Sequence, residues 1–474
     1  MRTIAVVGGG ISGLACAYLI RERLLAEDPE VRLLLFEKAD RTGGHIRTDS
    51  AGGFRCEWGP NGFLDNEPKM LEMIETLGLT PKLVRSDDLA RRRFIYRSGS
   101  LHPLPESPPA FLRTGLLGPL SKARVLAEPL LPAKRDGDEE TVGHFGRRRL
   151  GSGFATSFLD PMVSGIFAGD IDRLSLQAAF PRMVELERDH GGLFRAMIAL
   201  KRQRKRAERN GGATSTKGPA GPGGVLYSLE GGMETLVRAL AASLRGSIRT
   251  GCDVQAITPC ADGSFDLRVD GEALNAESLV LAAPAPAQAS WLSPWAEEAA
   301  TGLGGVESAP ISVVCLGYER DALSHPLDGF GLLIPRSEGI RTLGVLFSST
   351  LFPGRSPDGH VLVRALIGGA HDPAIADLDE KETLAQVRSD IGRFLGERGD
   401  PSFVRVFRHR VGIPQYNIGH PQIVNRANAV ESERPGLSLT GNWLRGISMN
   451  LCVRDAYRVA ERVGARCVSP VTTA

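Results

Sequence analysis

The chain lacks several features that would declare a function on their own. Its seven cysteines (Cys16, Cys56, Cys252, Cys260, Cys315, Cys452, Cys467) are odd in number, scattered and never spaced as Cys-x-x-Cys. That argues against a disulfide framework and for reduced thiols in a cytosolic setting. The nine histidines show no metal-ligand spacing, so no metal site is expected. No apolar stretch is long and uninterrupted enough to span a bilayer. There is no internal repeat. With 57 basic and 55 acidic residues the net charge is +2, so nothing drives the chain as a whole onto nucleic acid.

What is present is enough for two or three domains: 474 residues, 42% hydrophobic and 24% charged, the balance of a globular protein. The most informative stretch begins at Ile4. A β-branched run ends in Gly8-Gly9-Gly10-Ile11-Ser12-Gly13, an Ala-rich helical pattern follows, and a second apolar run closes on Glu37. Strand, Gly-x-Gly-x-x-Gly turn, helix, strand and acid form a dinucleotide-binding unit. Gly8 permits the tight turn, Gly10 lets the backbone approach a pyrophosphate at the helix N-terminus, and Gly13 allows close helix–strand packing. Glu37 is placed to accept hydrogen bonds from ribose hydroxyls. Three consecutive glycines also argue against a secretory signal peptide.

Past the acid, Arg41-Thr42-Gly43-Gly44-His45-Ile46-Arg47 supplies a second glycine pair that a nicotinamide dinucleotide does not need. It resembles the segment that passes the FAD phosphates in the large flavoprotein group that includes the amine oxidases, where Arg41 and Arg47 would offset phosphate charge. Gly59-Pro60-Asn61-Gly62 reads as a loop exposing backbone N–H groups and the Asn61 amide. Arg91-Arg92-Arg93-Phe94-Ile95-Tyr96 begins a strand in which Arg91 and Arg93 share a face. From about Leu101 to Arg209 apolar helical pieces alternate with the basic runs Arg147-Arg148-Arg149 and Lys201-Arg202-Gln203-Arg204-Lys205-Arg206. A membrane-surface module and a solvated helical insertion both fit that pattern. A Gly/Pro/Ser/Thr loop is expected over residues 211–224. Strand patterns follow around Val254, at residues 265–269, and at 278–284, the last a buried parallel strand. Longer alternating strands at 312–317, 329–334, 341–347 and 361–367, with a helix at 382–395, read as an α+β domain with a mixed sheet. Near the end, Leu437 to Trp443 form a strand and turn, and Gly446-Ile447-Ser448-Met449-Asn450 opens a terminal helix.

Taken in order, the residue 8–13 turn, the 41–48 segment, Gly59 to Phe63, Arg93 to Tyr96, Gly165-Ile166-Phe167-Ala168-Gly169-Asp170, Gly329 to Leu333, Ile413-Pro414-Gln415-Tyr416 and Gly441 to Asn450 resemble the protoporphyrinogen oxidase family. The two middle motifs, 165–170 and 413–416, are not needed by a generic FAD fold and weigh most. The resemblance implies an α/β plus α+β architecture with a Rossmann-type FAD-binding domain, a mixed-sheet substrate domain and a mostly helical membrane-binding insertion. The boundaries expected are 1–90, 222–290 and 425–474 for the three parts of the FAD domain, 91–209 for the insertion and 291–424 for the substrate domain. It implies oxidation of protoporphyrinogen IX to protoporphyrin IX by hydride transfer to FAD, with molecular oxygen as acceptor and hydrogen peroxide formed. Arg93 would pair with a substrate propionate, Asn61 would lie near the reacting carbon, and Phe330, Gly331, Leu333 and Leu366 would sandwich the macrocycle. FAD would be held by Gly8, Gly9, Gly10, Ile11, Ser12, Gly13, Glu37, Lys38, Arg41, Gly43, Gly44, His45, Gly59, Pro60, Asn61, Gly62, Val254, Gly441, Ile447, Ser448 and Met449. Trp443 and Leu444 depart from the family pattern.

The resemblance further implies a cytoplasmic protein docked on the inner face of the membrane, with no nucleic-acid partner. The oligomeric state stays open, a homodimer included. Three rivals share the fold: a coproporphyrinogen III oxidase, an amine oxidase or carotenoid desaturase, and a non-catalytic prenyl-binding escort protein.

Overall fold

The computed structural model describes residues 2–24, 31–209 and 224–468. The loop expected at 211–224 lies, but for its last residue, outside them. A five-stranded sheet has the order Ile248–Thr250, Arg32–Glu37, Thr3–Val7, Ser278–Leu281, Leu437–Leu439, with every pair parallel. Its central strand is apolar without a break from Ile4 to Val7, as a strand covered on both faces must be, and its residues face two cores in turn. Ile4 and Val6 join helices Ile11–Leu24 and Met449–Val468 in one core. Ala5 and Val7 join a second core on the other face, built on the antiparallel meander Val254–Pro259, Phe265–Val269, Glu272–Ala276. The small residues Ala15 and Ala17 let helix Ile11–Leu24 lie close on the sheet.

A seven-stranded mixed sheet carries the order Phe403–Pro414, Ser308–Glu319, His360–Gly368, Thr342–Leu346, Gly331–Leu333, Arg93–Arg97, Ser100–Pro103. One face packs Val314, Leu316, Val363 and Ala365 against Val387 and Ile391 of helix Glu380–Leu395, whose start is fixed by a reciprocal Asp379–Glu382 capping box. The other face carries Val313, Cys315 and Leu362, and Phe54 and Cys56 of the hairpin Thr48–Ala51/Phe54–Glu57 pack on it.

Three expected boundaries shift. The strands Arg93–Arg97 and Ser100–Pro103 pair into the large sheet, Arg93 opposite Gly331, so the helical segment starts at Pro108 and not at 91. Helices Ala285–Leu292 and Glu297–Gly304 share the second core of the parallel sheet with Ala427 and Val430 of helix His420–Glu433. The substrate-side sheet therefore begins at Ser308, and the 290/291 and 424/425 divisions fall inside elements of the nucleotide half. Strand Phe403–Pro414, twelve residues long, was not expected at all. Its alternation is blurred because it is an edge strand with arginines at 405, 408 and 410.

The basic run at 147–149 is not a free surface. Arg149 is wholly buried and donates from Nε to Glu128 Oε1 at 3.0 Å, and Glu128 also accepts the Leu193 and Phe194 amides at 2.8 and 3.2 Å. Arg148 pairs with Glu140 at 2.6 Å and Glu187 at 2.7 Å, and Arg147 with Asp172. Removing one partner of a buried pair strands the other charge and costs about 3–5 kcal/mol. Arg149→Ala is therefore expected to destabilise the protein by that amount in denaturant unfolding, while Arg91→Ala, at an exposed pair with Asp88, shifts it by less than about 0.5 kcal/mol.

Candidate active site

The expected cofactor residues converge at the C-terminal end of the parallel sheet, where an α/β sheet places its ligand. Gly9 donates its amide to Glu37 Oε2 at 2.6 Å, and Gly43 donates to the Gly9 carbonyl at 2.7 Å. The Glu37 carbonyl accepts the Cys252 amide at 3.0 Å, and Lys38 pairs with Asp253 at 3.2 Å. That brings the Val254 segment alongside. The Val254 carbonyl itself accepts Trp291 Nε1 at 2.8 Å. A Cβ on Gly44 would lie 3.6 Å from Gly10 Cα, and one on Gly59 would lie 2.4 Å from the His45 carbonyl oxygen. Burial, with His409 and Arg41 nearby, pushes His45 down to about 4, so His45 stays neutral near pH 7 and adds no positive charge to the site.

The C-terminal segment closes the cluster. Gly441 and Gly446 hold positive φ of 142° and 136°. Tyr416 ties their loop together: its hydroxyl donates to the Asn442 carbonyl at 2.6 Å and accepts the Gly446 amide at 2.8 Å. Ser448 Oγ accepts the Leu451 amide at 3.3 Å, starting the helix Met449–Val468. Asn450 Nδ2 donates to the Leu64 carbonyl at 2.8 Å, placing residues 447–450 against the chain that leaves Gly62. The Met449 side chain is buried in the core, so only its backbone is available to a ligand.

Two details test whether a dinucleotide fits. A Cβ on Gly13 would sit 1.9 Å from the Gly8 carbonyl oxygen, whereas one on Gly10 would meet nothing within 4 Å. The turn is packed on its inner side and open on its outer side, where a pyrophosphate belongs. In addition, Asn61 Nδ2 is buried with no hydrogen-bond partner, a costly state that a bound polar ring edge relieves. The residues fit FAD.

Four of the five expected substrate residues, Arg93, Gly331, Leu333 and Leu366, lie on one face of the large sheet, in two adjacent cross-strand rows, and Phe330 immediately precedes the strand Gly331–Leu333. Register places Arg93, Gly331, Leu346, Arg364 and Cys315 in one row. The next holds Ile95, Leu333, Gly344, Leu366 and Val313. Gly331 has φ +146°, and a Cβ there would lie 2.1 Å from the Val345 carbonyl oxygen, so no side chain rises from that point of the floor. Leu333 reaches under Gly165, whose Cβ would lie 2.8 Å from Leu333 Cδ2. Leu366 packs with Ala168, Ala370 and Ile413. This is how the motifs at 165–170 and 413–416 enter the site.

Arg93 lies 5.0 Å over the Phe330 ring, half-buried, with burial lowering its pKa and Glu106 opposing that shift. Arg91 and Arg92 pair with Asp88 and Asp328. Among the described residues Arg93 has no carboxylate within ion-pair distance. Arg364, at the other end of the row, is committed: it donates to the Glu57 carbonyl at 3.1 Å and the Gly59 carbonyl at 2.6 Å. The sequence reading missed it, although a lone arginine inside the apolar strand 361–367 was a signal that a buried charge had a partner elsewhere.

The matching family pattern, flavin containing amine oxidoreductase, covers residues 11–464. The chain belongs to that family. It is an FAD-dependent oxidoreductase. Its relatives include the "Coproporphyrinogen III oxidase" of Bacillus subtilis (strain 168), 29% identical over 461 residues covering 95% of each chain. "Protoporphyrinogen oxidase 1, chloroplastic" of Arabidopsis thaliana is 31% identical over 474 residues, covering 97% of this chain and 87% of the relative. A crystal structure from Exiguobacterium sp. 255-15, provisionally named a protoporphyrinogen oxidase, superposes with TM-score 0.83 at 26% identity over 98% of this chain and 99% of that one. Trp443, which departs from the expected pattern, is buried in the core of the parallel sheet.

The open outer side of the turn gives a direct test. Gly10→Val is expected to give a folded protein that purifies with little or no flavin absorbance. Gly13→Val, which forces backbone apart, is expected to lower the melting temperature of the apoprotein itself.

Proposed function

We propose that this chain oxidises protoporphyrinogen IX to protoporphyrin IX, with molecular oxygen as the final acceptor and hydrogen peroxide formed. One observation carries the reading: an unpaired guanidinium, Arg93, stands at one end of a row of the large sheet whose next two positions, Gly331 and Leu346, are without a side chain and apolar. A rigid macrocycle with a carboxylate tail needs that arrangement. Bound FAD supplies the two-electron acceptor. The chain's own residues bind and orient. Arg93 holds a propionate, Phe330 backs the guanidinium, Gly331, Leu333 and Leu366 form the apolar bed, and Asn61 presents its free amide where the bed meets the loop at 59–62. Orientation and exclusion of water are the main demands, because aromatisation drives the oxidation.

The Bacillus subtilis relative supports coproporphyrinogen III as a second reading. Its four propionates would need more unpaired cations. In this row Arg364 is committed to carbonyls, and Arg405, opposite Cys315, is paired with Asp49 at 3.2 Å. That favours the two-propionate substrate.

A charge-assisted contact is worth about 1.5–3 kcal/mol, so Arg93→Ala is expected to raise KM for protoporphyrinogen about tenfold or more with flavin content unchanged. Unchanged kinetics would remove Arg93 from the site. Anaerobic flavin bleaching by protoporphyrinogen but not coproporphyrinogen is the result expected of the parent.

The helical segment that starts at Pro108 serves, on the same reading, to dock the protein on the cytoplasmic face of a membrane. Leu112, Leu120, Leu126, Leu130, Met197 and Ile198 are exposed there, Leu120 at 88% and Leu130 at 83%. Lys201, Arg202, Lys205 and Arg206 are exposed on the helix that carries Met197 and Ile198. Apolar residues beside cations match an anionic lipid surface. Among the described residues no helix is long and apolar enough to cross a membrane. Each buried leucine contributes about 1.5–3 kcal/mol. Leu120→Asp with Leu130→Asp is therefore expected to weaken co-sedimentation with phosphatidylglycerol vesicles at least about tenfold, and equal partitioning would refute docking through this face.

A further inference from the structure

Oxidising a porphyrinogen releases protons as well as electrons. In each two-electron round a bridging C–H bond breaks and its electron pair leaves with the hydrogen to the acceptor. A second hydrogen leaves as a proton, its bonding pair staying on the macrocycle: over the three rounds two of these come from pyrrole nitrogens and one from the remaining bridging carbon by tautomerisation, and each proton must go elsewhere. The rows that hold Arg93, Leu333 and Leu366 contain no titratable carboxylate or histidine.

Three titratable groups lie beyond Leu333 and Leu366: His371 and Asp170 face each other, and Asp160 is near enough to feel the charge of both. Asp160 is 5% exposed, and its Oδ2 accepts the amide of Arg336, three residues past Leu333, at 2.8 Å. It begins the helix Asp160–Phe167, which carries Gly165 over Leu333. Immediately before it the chain makes a π-helical turn, Ala155–Leu159, of the kind that re-aims one residue at functional sites. His371 follows Ala370, which packs with Leu366 and donates its amide to the Ala168 carbonyl at 2.7 Å. His371 Nδ1 lies 3.6 Å from Asp170 Oδ2, and its Nε2 is buried with no partner. Exposure rises outward along the group: 5% for Asp160, 15% and 17% for the His371 and Asp170 side chains, and 51% for Asp172, whose amide donates to Asp170 Oδ1 at 2.8 Å.

We propose that Asp160, His371 and Asp170 form a proton exit, taking protons released by the bound porphyrinogen at Asp160 and passing them through His371 and Asp170 to solvent. The proposal rests on the porphyrinogen reading above. It gives a chemical reason for Asp170 and for the hexapeptide that ends in it, which the packing of Gly165 and Ala168 alone leaves unused. Burial, with Asp170 adding, raises the Asp160 pKa, while the Arg336 amide, His371 and the Arg336 charge oppose it. A carboxylate so placed is a better proton acceptor than a solvated one. The other charges around the group are accounted for. Asp172 is paired with Arg147, Asp372 with Arg341 at 2.6 Å, and Arg173 with Glu307 at 2.6 Å while also feeling Asp170.

Asp160 works only when ionised, so the rate falls as pH falls through its raised pKa, giving an acid limb above the ordinary carboxylate range. The test is anaerobic stopped-flow bleaching of the FAD holoenzyme by protoporphyrinogen across pH. Asp160→Asn is expected to slow bleaching about 10²-fold and to abolish the acid limb, with KM and flavin content unchanged. His371→Gln is expected to slow it by a smaller factor, and Asp160→Glu to restore part of the rate and the limb. If Asp160→Asn does not fold, His371→Gln carries the same test. Variants that keep the parental pH profile, or that change only KM or melting temperature, overturn the exit and leave the substrate reading standing. A parent whose flavin is not bleached by the porphyrinogen overturns both.

Discussion

Two buried arginines, Arg364 in the large sheet and Arg355 in the loop that leads into its strand, fix where everything else in the site lies. Arg355 donates to Glu57 Oε1 at 2.6 Å, and Arg364 donates to the carbonyls of Glu57 and Gly59. Both are at most 4% exposed. A buried guanidinium without partners costs several kcal/mol, so the strand Phe54–Glu57 and the loop after it cannot slide on the sheet without stranding a charge. Glu57 reaches the other way as well, accepting Thr48 Oγ1 at 2.8 Å and the Met233 amide at 3.0 Å. One carboxylate thus joins the nucleotide half to the substrate sheet. The register between a flavin held by the Gly-rich turns and a substrate on the sheet is a consequence of this junction.

The same junction sorts the arginines by function. Arg93 and Arg364 share a row, three strand spacings apart, or about 14 Å at 4.8 Å each. Between them lie Gly331 and Leu346, one without a side chain and one apolar. Arg364 is buried and held by two carbonyls, whereas Arg93 is stacked on Phe330 and unpaired. A floor with one engaged and one available guanidinium orients an asymmetric acid. A floor with two available ones would bind it in either sense.

What the sequence made legible follows from whether the constraint was local. The residue 8–13 turn, Glu37, the paired glycines at 43–44 and the terminal helix could be read because each is a local backbone requirement, and the structure assembles them side by side. The substrate residues came from resemblance, and it took cross-strand register to show that Arg93, Gly331, Leu333 and Leu366 share a face. The boundary at 91 failed because a strand that pairs with residues more than two hundred positions later carries no local sign of its partner. Arg364, Asp160 and His371 stayed out of view for the same reason, and Tyr416 was singled out without its role: these roles are set by carbonyls, amides and side chains from distant segments.

The arginine triplets make the limit concrete. Arg91-Arg92-Arg93 and Arg147-Arg148-Arg149 are identical as composition, and a reading by charge alone gives both to a solvated or lipid-facing surface. Five of these six side chains have a carboxylate partner. The second triplet sits in helix Val142–Leu150, where successive residues point 100° apart, so it spreads over several neighbours and Arg149 turns fully inward. Arg93 begins a strand, where alternate residues face opposite ways, so it is turned to the inner face of the sheet. The element type decides which arginine becomes structural and which stays available to a ligand. The helix then finishes the enclosure, since the ion pairs of Arg149 and Arg148 hold the helical layer together, and helix Asp160–Phe167 of the same layer lays Gly165 against Leu333. Charge buried in one layer thereby sets the height of the apolar roof over the other.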